Sequence, residues 1–237
     1  MPKKTKFVLF RPLRKKVTYH EKLYINRNEI ECVESIKFLG VYLDNKLTWA
    51  THIHYMKGKV SRGIGIICKG RKSLNKSTLV TLYYSFIFPH LLYCIESWGA
   101  ANKCHLDGVL KLQKKALRII DCVRLYTKSA PLFLKYNILP VNKLFQMNVT
   151  LTMYKVIRSL APEIFNSLFD FPDHNYNTRN NHLFILPGFR TSHSQQSIRY
   201  IGIKLWNYLS SKIQRNCSFS VYKKRLRYYL LKNDVRP

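Results

Sequence analysis

Lys37-Phe38-Leu39-Gly40-Val41-Tyr42-Leu43-Asp44 reads as extended chain, and Trp49, Ile53, Met56, Val60, Ile64 and Ile67 then recur at steps of four, three, four, four and three. The change from strand to helical period decides the architecture: a small β unit gives way to helices at about residue 47. Thr48 is placed to cap the first helix and Gly70 to end it. Gly40, inside the run Ile36 to Leu43, marks a bulge or a close backbone approach by something else.

Upstream, Lys6 to Phe10 puts Phe7 and Leu9 on one strand face. Leu23 and Ile25 precede a turn at Asn26-Arg27-Asn28, and Ile30 and Cys32 follow it. A small antiparallel unit of this kind needs more protein to pack against. Downstream, apolar spacing predicts helices over 77–98, bent at Pro89, and over 105–122. Pro131, Pro140 and Pro162 read as first-turn prolines of helices at 131–136, 141–160 and a short turn thereafter. Residues 170–197 are polar, with one strand expected at 183–186. Helices at 197–209 and 220–231 complete the chain. The fold class expected is α+β and mostly α-helical, with an N-terminal antiparallel unit, a helical bundle and a helical tail.

The chain of 237 residues carries 41 Lys and Arg against 12 Asp and Glu, a formal net charge of +29. Between Asp44 and Glu96 there is no acid, while Lys46, Lys57, Lys59, Arg62, Lys69, Arg71, Lys72 and Lys76 all fall there. The hydrophobic fraction of 46% excludes global disorder. A folded surface this basic repels itself unless a polyanion neutralises it, and nucleic acid is the expected partner. The cations Lys57, Lys59, Arg62, Lys69, Arg71 and Lys72 lie mostly off the first apolar stripe. Lys114, Lys115 and Arg118 occupy the polar side of the third helix. Lys223, Lys224 and Arg225 stand beside Tyr222, Leu226 and Tyr229 in the last. Tyr83, Tyr84, Tyr228 and Tyr229 are available either for base stacking or for the core.

Catalytic patterns are missing. Two-metal phosphoryl chemistry needs carboxylates held close together, and the acids here are almost all isolated. His90 and Cys94 lack a third partner for nucleophilic catalysis, and Gly63-Ile64-Gly65 sits in an apolar helical stripe rather than a phosphate loop. The six cysteines form no CxxC pair, so no zinc site is expected, and reduced cysteines in the core are. The N-terminus has no apolar signal region, and Leu79 to Ile95 is short for a span and interrupted by Pro89 and His90.

Lys37 to Asp44, continuing Asn45-Lys46-Leu47-Thr48-Trp49 and His52-Ile53, resembles a block of the reverse transcriptases of non-LTR, LINE-like retrotransposons. Lys3 to Phe10 is similar to that family's Lys-Thr strand, Leu91 to Gly99 to its post-palm segment, and Leu112 to Arg118 to the following helix. Tyr176 to Arg179 and Gly202 to Asn207 resemble its C-terminal region. The resemblance implies that residues 1–46 are the end of a polymerase palm, 47–169 a helical thumb-like region, and 170–237 a polar linker with a basic helical tail. It implies a primer-grip turn at Phe38, Leu39 and Gly40, with the thumb cations facing a template–primer duplex of RNA or DNA.

The family's catalytic aspartates, one in an early palm strand and a pair in an aromatic-Ala-Asp-Asp hairpin, do not occur here. The chain is therefore expected to be a C-terminal part of the polymerase that lacks the fingers and most of the palm. It should have no catalytic residue, metal site or cofactor of its own, and Mg2+ belongs to the complete parent enzyme. An intracellular location, cytoplasmic or nuclear, goes with this reading. Two alternatives stand beside it: a stand-alone nucleic-acid-binding module derived from a transposon, and a basic helical protein associated with a membrane surface.

Overall fold

The computed structural model describes residues 5–12, 22–169, 184–210, 213 and 217–233. The strands are β1 (Lys6–Phe7), β2 (Tyr24–Ile25), β3 (Asn28–Glu29), β4 (Glu31–Cys32), β5 (Ser35–Phe38) and β6 (Val41–Asp44). β2 and β3 form an antiparallel hairpin through Asn26 and Arg27, and β5 and β6 form another with Ser35 opposite Asp44 and Phe38 opposite Val41. The third pairing, β1 with β4, is parallel. The expected antiparallel unit is therefore three short ladders, one of them parallel.

Gly40 marks the turn of a hairpin and not a bulge. Leu39 and Gly40 both have positive φ, 45° and 84°, as a two-residue turn with right-handed strand twist requires.

The helices are α1 (Ala50–Gly70), α2 (Lys76–Phe86), α3 (Phe88–Leu92), α4 (Ile95–Trp98), α5 (Lys103–Asp121), α6 (Ala130–Lys135) and α7 (Val141–Ile157). A 3-10 helix at Glu163–Leu168 is followed by α8 (Ser192–Gln195), α9 (Ile198–Ser210) and α10 (Phe219–Lys232). The α1 stripe is buried from Ile53 to Ile67 in one core with Leu79, Tyr83, Leu91, Val109, Ala116 and Leu117, and α1 packs on α2, α3 and α5. Close packing at Gly63 explains the small residue there: a Cβ would stand 2.8 Å from both Ile87 Cγ1 and Phe86 O. α7 is buried along most of its length and receives α5, α9 and α10.

The helix expected over 77–98 is broken into α2, α3 and α4. Pro89 has no N–H for the preceding turn and restarts the helix within its own first turn. Tyr93 is extended and Cys94 is left-handed, which frees the Tyr93 carbonyl to accept from Trp98 Nε1 at 2.8 Å. The strand expected at 183–186 is absent among the described residues 184–186. Instead the Asn207 side chain takes both backbone groups of Phe184, accepting from its N–H and donating to its carbonyl.

Gln113, wholly buried, donates to Tyr83 Oη and Leu139 O and accepts from Val141 N. It ties α5 to α2 and to the start of α7. The cysteines are free, as expected, but they are not core residues: Cys32, Cys68, Cys94, Cys104 and Cys122 are exposed and Cys217 is half-buried. Cys94 and Cys122 sit at helix ends with left-handed backbone, and Cys217 packs partly against the core. Among the described residues no helix is long and apolar enough to cross a membrane.

Candidate nucleic-acid interface

The β5–β6 hairpin is fixed to the helices at both ends. At its base Asp44 is buried, and its carboxylate accepts from the N–H groups of Lys46, Thr48 and Trp49 and from the Thr48 hydroxyl. One side chain thus holds the strand-to-helix corner. Thr48, the expected cap, plays a lesser part: its hydroxyl is 3.4 Å from Ala50 N, and Trp49 occupies the capping position with left-handed backbone.

At the tip, Tyr93 Oη donates to Leu39 O at 2.6 Å, and its ring stands 3.3 Å from where a Gly40 Cβ would be. Between base and tip, His52 Nδ1 lies 3.5 Å from Tyr42 N, and the His52 ring is 5.9 Å from that of Trp98. Burial lowers the His52 pKa, and Nε2 is buried without a hydrogen-bond partner among the described residues. The residues quoted for the family resemblance, distant in sequence, converge here: Gly40 on Tyr93, Tyr93 on Trp98, Trp98 on His52.

A basic surface runs outward from that knot. Lys37 Nζ lies over the rings of Tyr42 and Tyr55, and Lys59 Nζ over Tyr55 at 5.5 Å. His90 of α3 has its pKa lowered first by burial and then by Lys59 and Arg62, so it shares their positive field. Arg62, Lys69, Arg71 and Lys72 are exposed. Gly58 and Gly65, on the same outer face of α1, have open space above them. The face carries charge with little bulk.

Among the described residues Lys59, Arg62, Lys69, Arg71 and Lys72 make no ion pair; the pairs present are Lys6–Glu31, Lys22–Glu29, Lys76–Asp121 and Lys135–Asp121.

The other expected cations divide. Lys57 leaves this face and lies on α5, with Nζ 3.0 Å from where a Gly108 Cβ would be. Lys115 is exposed and, seven residues on from Gly108, lies on the same side of α5 as α1. Lys114 is half-buried, and Arg118 Nε donates to Thr127 O. Lys223, Lys224 and Arg225 are exposed on α10, which packs on α6 and α7, so they form a separate surface. Of the tyrosines, Tyr83 is core, Tyr84 packs edge-on against it, Tyr229 is half-buried, and Tyr228 is exposed beside Lys232. Among the described residues no group of three or more His, Cys, Asp or Glu could hold a metal ion.

The RNA-directed DNA polymerase from mobile element jockey of Drosophila melanogaster is 33% identical to this chain over 109 residues, 44% of this chain and 12% of that protein. Its counterpart from Drosophila funebris is 29% identical over 109 residues, with the same shares. The "Probable RNA-directed DNA polymerase from transposon X-element" of D. melanogaster is 25% identical over 114 residues, 46% of this chain and 12% of that protein. Over this stretch the chain is homologous to reverse transcriptases of non-LTR mobile elements. The match spans 12% of the length of these polymerases. No family model matches the chain, and no solved structure does.

The residues that build the site are not all those the sequence flags. Asp44, Tyr55 and Tyr93 do not stand out in it as site residues. Asp44 has a readable signal, an acid four residues before Thr48 and just ahead of a helical stripe. Tyr93 has none, because its role depends on a helix break that brings it back to a hairpin more than fifty positions earlier.

Proposed function

We propose that this chain is the nucleic-acid-holding, C-terminal part of an RNA-directed DNA polymerase of a non-LTR mobile element. In this role the outer face of α1 lies along the template–primer duplex, and Phe38, Leu39 and Gly40 form a primer-grip tip beside it. The observation that carries the reading is the row Lys59, Arg62, Lys69, Arg71 and Lys72, which has no carboxylate partner among the described residues and whose first member shares the Tyr55 ring with Lys37 of β5.

Such cations neutralise phosphates and release counterions, which gives affinity without sequence preference. Lys115 extends the row onto α5, and the α10 cations supply a further surface. The carboxylates and Mg2+ of the polymerisation step belong, in this reading, to the palm and fingers of a larger enzyme. The uncovered side chains Phe10, Leu23, Tyr24 and Ile25 support such a partner, since apolar strands in this number ordinarily face protein.

A stand-alone nucleic-acid-binding module is the second reading, supported by the closed core between α1 and α10. The membrane-surface alternative loses its main support: Tyr222, Leu226 and Leu230, the apolar face of α10, are already buried in the core. A gel-shift titration with two unrelated duplexes tests the placement on α1. Arg62→Glu, Arg71→Glu and Lys72→Glu together should weaken both equally. They should also make the salt slope shallower by about 0.9 for each phosphate that is no longer neutralised. Unchanged binding removes the duplex from this face.

A further inference from the structure

We propose that the α5–α6 loop, residues 122–129, is a contact for unpaired nucleic acid, with a base stacked on Tyr126 and neighbouring phosphates taken by Arg124 and Lys128. The proposal deepens the reading of α1 as a duplex-binding face and rests on it only for where the strand comes from.

The loop is a built turn. Cys122 ends α5 in left-handed backbone, Val123 N donates to Arg118 O, and Thr127 N closes onto Arg124 O at 3.1 Å. Arg118 holds the far side by donating from Nε to Thr127 O at 2.9 Å, and Ser129 O accepts from the first turn of α6. Leu125 and Tyr126 are the two corner residues of that turn and project from it: Leu125 is 63% exposed and Tyr126 96%, the most exposed large hydrophobic side chain described. Among the described residues nothing packs on the Tyr126 ring to account for an aromatic side chain held there.

The charges around it point to an anion. Arg124 and Lys128 are exposed and make no ion pair among the described residues. Asp121, the carboxylate nearest in sequence, is already engaged by Lys76, Lys135 and the Tyr136 hydroxyl. Lys57 lies on Gly108 and Lys76 on Asp121, so α1 and α5 run in the same direction and finish at the same end of the bundle. Lys69 therefore comes to this end from the last turn of α1, Arg71 and Lys72 from the α1–α2 connection, and Arg124 and Lys128 from the α5–α6 loop. A strand leaving a duplex laid along α1 meets an aromatic platform between two sources of cations, the combination that binds single strands without reading their sequence.

The test uses the full chain, a short oligothymidylate and a blunt duplex. Tyr126→Ala should weaken oligothymidylate binding about fivefold or more, while blunt-duplex binding changes less than about twofold because no cation is removed. Tyr126→Trp should keep the affinity and add to the three native tryptophans an indole emission whose difference from the wild-type signal changes as the oligonucleotide saturates. Oligothymidylate binding that is absent in the wild-type chain, or unaltered in Tyr126→Ala, overturns the proposal. So does a Tyr126→Trp emission that responds to phosphatidylserine vesicles and not to the oligonucleotide. Loss of duplex binding in the wild-type chain with oligothymidylate stacking intact would instead remove the α1 reading and leave the loop standing.

Discussion

The helical bundle and the strand unit before it treat their apolar side chains in opposite ways. From α1 to α7 nearly every large apolar residue on a helical stripe is buried, and Tyr83, Leu91, Trp98 and Ile120 are wholly so. Among the described residues before α1, Val41 and Asp44 alone are buried, while Phe10, Leu23, Tyr24, Ile25, Phe38 and Leu39 face outward. The bundle has a core of its own. The strands borrow theirs, because among the described residues their main packing on the bundle is that of β6 on α1. The difference separates two uses of apolar surface: in the bundle it generates stability, and in the strands it is left available to something else.

Breaking the bundle should therefore cost far more than altering the strands. Trp98→Ala removes a buried indole and its hydrogen bond to Tyr93 O, and should lower stability by about 3–5 kcal/mol, measured by urea unfolding at neutral pH. A second test acts through pH at the far end of the bundle. Hydrogen bonds first from Lys135 and then from Lys76 hold the Asp121 carboxyl well below the usual carboxylate range. A carboxyl depressed in the folded state binds its proton more readily once unfolded. Its stabilisation is complete above about pH 4 and is lost as pH falls toward the folded value. Asp121→Asn should flatten the acid limb of unfolding, with little change in the strand unit.

In the hairpin, Gly40→Ala places a side chain at φ 84° and 3.3 Å from the Tyr93 ring, and should cost about 1–2 kcal/mol. Leu39→Ser, at a site 75% exposed, should change stability by less than about 0.5 kcal/mol. A large loss from Leu39→Ser would erase the contrast between the two regions, because it would mean that the tip is already covered.

The same contrast governs what can be read from the sequence. Helices declare themselves by a local period, so α1, α5, α9 and α10 are legible to within a few residues, and so is the basic row along α1. The break after α3 is not, since it depends on the Trp98 indole reaching back to Tyr93 O, a contact without periodicity. The parallel pairing of β1 with β4 and the clasp of Asn207 on Phe184 are likewise long-range. Lys57 reads as part of the row because it is cationic and off the stripe, yet its position turns it toward Gly108. The Tyr126 loop is silent in the sequence because a tyrosine in a turn carries no signal until its exposure is known.

Asp44 has a mechanical consequence. With the carboxylate gathering the corner between β6 and α1, and Tyr93 gripping the tip, the hairpin cannot swing on the helix as a hinged flap would. Tip and cation row form one stiff lever, and the spacing between Gly40 and Arg62 is a fixed ruler. If the proposed duplex lies along this face, any opening or closing over it has to pivot upstream of β5, carrying tip and row together.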